Sequence, residues 1–157
     1  MSYSSDLEAA RPQHFVQPVG NDWTEWKAWA QSSGVTSALG LEVREIAEGL
    51  AVADIRTSLL PLNPNGSVHG GILSAIVDQI GSLATVTQVP DGYGLATCTL
   101  NVEYLRPAEL PLVAVGRVVR AARSVIFTDI EIRSGDTLAV SGSGTWLPKP
   151  YPKGSVS

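Results

Sequence analysis

The stretch NPNGSVHGGILSAIVDQIGSLATV, residues 63–86, constrains the fold more than any other part of this chain. It opens as a loop rich in Asn, Pro and Gly, passes through His69-Gly70-Gly71, and becomes an apolar run of about four helical turns. Ile72, Leu73, Ile76, Val77, Ile80, Leu83 and Val86 leave little of that helix polar, so it belongs in a core. Asp78 nevertheless stands in its middle, with Ser74 and Ser82 one turn to either side. A lone carboxylate in such a helix must be partnered, neutralised or put to use.

The remainder of the chain supplies a sheet to cover the helix. Residues 41–48 and 50–57 read as strands joined in a hairpin at Glu48-Gly49, followed by a loop holding Pro61 and Pro64. The helix fades at the turn signal Pro90-Asp91-Gly92. Over residues 95–105, Ala96, Cys98, Leu100, Val102 and Tyr104 alternate with Thr97, Thr99, Asn101 and Glu103, the period of a strand buried on one face. Further strands are predicted over 112–122, 125–133 and 137–147. The links at Arg123-Ser124 and Ser134-Gly135-Asp136 are too short for parallel crossovers, so these strands are antiparallel. Pro148, Pro150 and Pro152 are expected to stop the last one. Upstream, Asp22 caps a helix running to about residue 33, with Glu25 in capping-box spacing and Gly34 as its stop. Trp23, Trp26 and Ala30 share a face of it, with Trp29 alongside. Packing of the indoles in the core is the first expectation; a wall of an apolar substrate pocket is the other. Residues 1–20, which include His14, are expected to form a mobile tail, 21–148 a single domain, and 149–157 a second tail. The class is α+β: an antiparallel sheet curled around one long helix.

Composition removes several function classes. The 157 residues are 44% hydrophobic and 17% charged, which fits one globular domain. A formal net charge of −4 argues against a nucleic-acid-binding surface. No uninterrupted apolar stretch approaches the ~20 residues of a membrane span, and the first twenty residues lack the pattern of a secretory signal. One cysteine forbids an internal disulfide, and the expected location is cytoplasmic.

Two histidines and one cysteine, at positions 14, 69 and 98, offer no zinc-like ligand spacing, and no metal is expected. Cys98 is expected to be a small buried hydrophobe. Gly142-Ser143-Gly144 lies in a predicted strand, the wrong context for a nucleophile elbow. His69-Gly70-Gly71 and Asp78 remain. Gly70 and Gly71 at a helix start let a ligand approach the backbone, and first-turn N–H groups lack intrahelical partners, a setting suited to an oxyanion or a polarised carbonyl oxygen. Asp78 is then a nucleophile or general base, with Ser82 as a hydrogen-bond partner. The alternatives are a structural carboxylate satisfied by its neighbours and glycines placed for a tight turn. Spacing adds a constraint. Eight positions at 1.5 Å each put Gly70 and Asp78 about 12 Å apart along the axis, whereas bond making needs roughly 3 Å. If both are catalytic, a second, antiparallel copy of the helix must bring Asp78 of one chain to Gly70 of the other.

The block Asn63, His69-Gly70-Gly71, Val77-Asp78, with Asn101-Val102-Glu103-Tyr104-Leu105-Arg106-Pro107 downstream, resembles the PaaI-like group of hotdog-fold acyl-CoA thioesterases. The likeness covers about residues 35–147. It implies a hotdog fold, a homodimer at least and commonly a dimer of dimers, and an acyl-CoA substrate whose coenzyme A is no separate cofactor. By the same resemblance Asp78 matches the catalytic acid, Gly70 the backbone donor to the thioester carbonyl, and His69 the histidine that shapes that site. Asn63 matches the residue that orients thioester or water. Ser82 sits where one branch has a threonine near the acid, and Thr97 where another branch uses a hydroxyl to position water. Gly71, Arg106, Arg123 and Ser124 are expected to contact substrate, the last three at the coenzyme A phosphates. An acyl-CoA-binding module without turnover, or a hotdog dehydratase or hydratase, are the alternatives.

Overall fold

The computed structural model describes residues 16–58 and 61–152. The expectations placed on residues 1–15, including His14, on residues 59–60 and on residues 153–157 lie outside these. Helix α1 (Trp23–Ser32) begins where Asp22 accepts hydrogen bonds from the backbone N–H groups of Thr24 and Glu25, as the capping pattern requires. Gly34 is not a stop. The chain kinks at Ser33, whose extended backbone interrupts the helix, and Gly34 opens a short helix α2 (Gly34–Ala38). Strands β1 (Glu42–Ala47) and β2 (Leu50–Ile55) form the expected hairpin, and the central helix α3 spans Gly70–Val86. Four strands follow: β3 (Tyr93–Tyr104), β4 (Leu112–Ala121), β5 (Ile126–Ser134) and β6 (Thr137–Pro150). They form one antiparallel sheet in the order β1-β2-β4-β5-β6-β3, wrapped around α3 as in the hotdog fold.

The helix is held by one face. Leu73, Ile76, Val77 and Ile80 pack against Ile55, Leu112, Ile130, Ile132, Val140 and Trp146 of the sheet. Each fully buried aliphatic side chain contributes about 1.5–3 kcal/mol. A second cluster joins Trp26 and Ala30 of α1 to Leu83, Ala84 and Val86 at the helix's far end. Trp26 is therefore core, as expected of the indole stripe. Close approach is possible because three sheet positions lack side chains. A Cβ at Gly116 would stand 2.8 Å from the Ile80 carbonyl oxygen, one at Gly142 2.7 Å from Val77 Cγ1, and one at Gly144 2.6 Å from the Trp146 ring. The Gly142-Ser143-Gly144 motif is thus a groove for the helix and for an indole.

The same reasoning applies on the helix side. A Cβ at Gly81 would lie 2.4 Å from Trp146 Cη2, and Trp146 is fully buried with its indole N–H donating to Ser82 Oγ at 2.9 Å. Gly81→Ala gains about 1 kcal/mol of helix propensity but must displace that ring, which costs about 1–3 kcal/mol and strains a hydrogen bond worth about another 1. The expected result is a net loss of about 1–2 kcal/mol in urea unfolding. A midpoint equal to or above that of the wild type would show that the indole can move without cost.

Three local features depart from the sequence expectations. β6 continues through Pro148 to Pro150. Its pairing with β5 ends at Trp146, so the prolines lie where one side of the strand is open and no ladder bond is lost there. Gln17 is buried and bonded to the Tyr93 carbonyl and the Tyr151 hydroxyl, so ordered structure begins within the expected tail. Cys98 is exposed, not buried. It is the extra residue of a β-bulge: Thr97 pairs with Trp146 and Thr99 with Thr145, two steps on β3 for one on β6. The bulge reverses the strand's alternation, so Leu95 and Thr97 face the helix before it, and Leu100, Val102 and Tyr104 after it.

Candidate active site

The site is built along the uncovered face of α3. Gly71, Ser74, Ala75, Asp78 and Ser82 follow one another along that face, and none of them is fully buried. At the N-terminus His69 is the cap, and its Nδ1 accepts the Gly71 N–H at 3.0 Å. An Nδ1 that accepts leaves the ring proton on Nε2. His69 thus orients the first turn through that bond. The Gly70 N–H has no acceptor among the described residues. It is the donor a helix start leaves over, and the helix dipole adds positive potential there. The loop before it is fixed by Asn63, whose Oδ1 accepts from the backbone N–H groups of Asn65 at 2.9 Å and Ser67 at 3.1 Å. Asn63, Gly70, Tyr104 and Arg106 line a cavity of about 380 Å3. Arg106 is exposed at its edge, with one guanidinium N–H on the Leu105 carbonyl.

Two turns along, Asp78 accepts a hydrogen bond from Thr97 Oγ1 at 2.8 Å. The acid's partner is thus on β3, across the bulge, and not the helical Ser82 that sequence spacing suggested. Ser82 instead accepts the Trp146 indole N–H. Because that bond fills one lone pair, the Ser82 proton is left to point elsewhere. Ser82 lines a second cavity of about 410 Å3, with Trp29, Leu83, Val86, Leu95 and Tyr151 among its walls. Trp29 is the one indole of the stripe that meets this space. Burial raises the Tyr151 phenol above its ordinary value of 10, against a smaller opposing effect from Gln17.

Arg123 and Ser124 sit in the exposed β4–β5 turn. In sheet register they adjoin the end that carries Thr97 and Trp146, whereas Arg106 lies beyond Tyr104 at the opposite end. One chain therefore gathers Asn63, His69, Gly70, Gly71 and Arg106 at one end of the helix. Asp78, Thr97 and Ser82, with Arg123 and Ser124 farther out, lie toward the other. Tyr104 and Trp146 escaped the sequence reading, although Tyr104 stands inside the NVEYLRP segment that drew attention. No group of three or more His, Cys, Asp or Glu among the described residues is placed to hold a metal, and no described helix is long and apolar enough to cross a membrane.

A long helix cradled by a six-stranded antiparallel sheet is the hotdog architecture. Residues 65–141 match the model of the thioesterase superfamily. Over 111 residues the chain is 33% identical to a protein of Halobacterium salinarum described as a "putative esterase", covering 68% of this chain and 74% of that one. Acyl-coenzyme A thioesterase 13 of Homo sapiens is 23% identical over 114 residues, covering 71% and 81%. A solved structure from Ralstonia eutropha, described as a "putative thioesterase, phenylacetic acid degradation-related protein", superposes with a TM-score of 0.70 at 26% identity, covering 78% of this chain and 98% of that one. The chain belongs to the thioesterase superfamily.

Proposed function

We propose that this protein hydrolyses an acyl-CoA thioester to a carboxylate and free coenzyme A. The observation that carries the reading is the pairing of a Thr97-bound Asp78 with an unpaired Gly70 N–H on one helix of a thioesterase-superfamily chain. The Gly70 N–H donates to the thioester oxygen and holds the charge that develops there as the carbonyl carbon becomes tetrahedral. Asp78 either takes a proton from an attacking water or attacks the carbonyl itself. The C–S bond then breaks, the electron pair leaves on sulfur, and the thiolate is protonated as coenzyme A departs. Where Asp78 has attacked, water then hydrolyses the resulting acyl–Asp78 anhydride, releasing the carboxylate and restoring Asp78. Thr97 keeps one Asp78 oxygen occupied and so turns the other toward the reaction.

Gly70 and Asp78 of one chain are about 12 Å apart along the axis and cannot share a carbonyl. The reading therefore takes a homodimer, or a dimer of dimers, in which two antiparallel α3 helices each complete the other's site. The opposite placement of Arg106 and Arg123-Ser124 on the sheet fits such a dimer, since a two-fold axis brings one chain's Arg106 end toward its partner's Arg123 end. These residues are the contacts for the coenzyme A phosphates, and Gly71, Asn63 and His69 frame the thioester. No further cofactor is required. The test is thiol release across a panel of acyl-CoAs varied in chain length and aromaticity, run beside enoyl thioesters analysed for hydrated product. Turnover to the free acid is expected. Intact acyl-CoA bound for hours without release, or hydration in place of hydrolysis, would replace this reading with the binding module or the hydratase.

A further inference from the structure

Strand β3 reaches the helix at both of its functional ends, and it does so only because of the bulge at Cys98. Thr97 and Tyr104 are seven positions apart, an odd number, so a regular strand would point them to opposite faces. The extra residue reverses the parity, and both hydroxyls arrive on α3. Thr97 binds Asp78. The Tyr104 hydroxyl donates to the Gly70 carbonyl oxygen at 2.9 Å and is also bonded to Ser74 Oγ one turn on. Its ring stands 3.4 Å from where a Cβ on Gly70 would be, an ordinary contact distance, so the glycine is flanked by the phenol on one side. Tyr104 is 52% exposed in the single chain and lines the same cavity as Gly70, Asn63 and Arg106.

We infer that Tyr104 is a positioning residue for the Gly70 peptide N–H, an inference that rests on the thioesterase reading above. The first turn of a helix is its least constrained, because its N–H groups make no intrahelical bond. At Gly70 the backbone has in addition the freedom of a residue without a side chain. A donor aimed at a developing oxyanion must hold its direction within a fraction of an ångström. The phenol restrains that turn at two points, the Gly70 carbonyl and the Ser74 hydroxyl, and so fixes the rotation of the turn that carries the Gly70 N–H. The bulge is then the device by which one strand holds both the acid at mid-helix and the oxyanion donor at the helix start.

The test compares Tyr104→Phe, which keeps the ring and deletes only the hydroxyl, with wild type, Asp78→Asn and Ser74→Ala, on the best acyl-CoA from the panel. The expected result for Tyr104→Phe, which deletes both hydroxyl bonds, is a fall in kcat of about five- to tenfold, with KM within about twofold and the protein still fully folded at the assay temperature. Ser74→Ala, which removes one of the two restraints, is expected to lower kcat by less. A Tyr104→Phe enzyme with wild-type kcat, or with raised KM at constant kcat, overturns the role, as does a loss of activity that merely follows a lowered midpoint. If wild type is active, Asp78→Asn is not, and Tyr104→Phe equals wild type, only the role of Tyr104 fails. If wild type releases no thiol from any thioester, the thioesterase reading fails and Tyr104's role with it.

Discussion

Asp78→Asn is expected to leave the protein folded and to lower kcat by about 10³-fold, within the range of 10²–10⁴ that general acid–base catalysis supplies. The substitution is nearly isosteric. The asparagine amide would keep an oxygen able to accept from Thr97 Oγ1, so the bond that ties α3 to β3 survives. What disappears is the capacity to take a proton from water or to form a covalent bond to carbon. Because the residue lies on the uncovered face of the helix, its replacement creates no cavity in the core between α3 and the sheet. KM should move little, since the carboxylate acts chiefly on the transition state. Thiol release by the purified variant, with its unfolding midpoint measured alongside, decides the matter. A folded Asp78→Asn enzyme as fast as wild type would return Asp78 to the class of structural carboxylates.

How far such a site could be read from the chain depends on whether each feature is local. The helix was legible because Ile76, Val77, Ile80, Leu83 and Val86 repeat with a helical period over many residues, and the glycines at its start mark the boundary. The hairpin strands β4, β5 and β6 were legible because short turns leave antiparallel pairing as the only connection. The pairing of β3 with β6 and of β2 with β4 is long-range, and no local pattern encodes that order. The bulge was invisible for a more particular reason. Through Cys98 the alternation of apolar Ala96, Cys98 and Leu100 with polar Thr97 and Thr99 runs on unbroken, so the pattern carries no mark of the extra residue. That one residue decided two assignments: it exposed Cys98, and it turned Thr97 onto Asp78. Ser82 drew attention at helical spacing from the acid, but spacing could not reveal the buried Trp146 indole, sixty-four positions away, that takes its oxygen.

Gly70→Pro offers the sharpest separation of backbone chemistry from side-chain chemistry. Gly70 is the first residue of α3, the helical position proline tolerates best because its N–H would be unpaired in any case. His69 has φ −61° and ψ 139°, the extended conformation a residue before proline adopts. A Cβ at position 70 meets the Tyr104 ring at 3.4 Å, an ordinary contact. The variant should therefore fold, yet it lacks the one atom proposed to stabilise the oxyanion, and kcat should fall about 10²–10³-fold. Combined with Asp78→Asn it also tests the composite site. Each variant alone carries a lesion in both sites of its dimer. When the two are mixed, unfolded and refolded together in equal amounts, about half the dimers are hybrids. In a hybrid whose sites each draw Gly70 from one chain and Asp78 from the other, one site receives both wild-type residues and the other receives both lesions. Mixing should then restore roughly a quarter of wild-type activity from two nearly inactive proteins. If both residues served the same site within one chain, every site in the hybrid would still hold one lesion and nothing would return. Recovery on mixing thus answers, with one measurement, whether the roughly 12 Å that separates the two groups along α3 is spanned by a second copy of the helix.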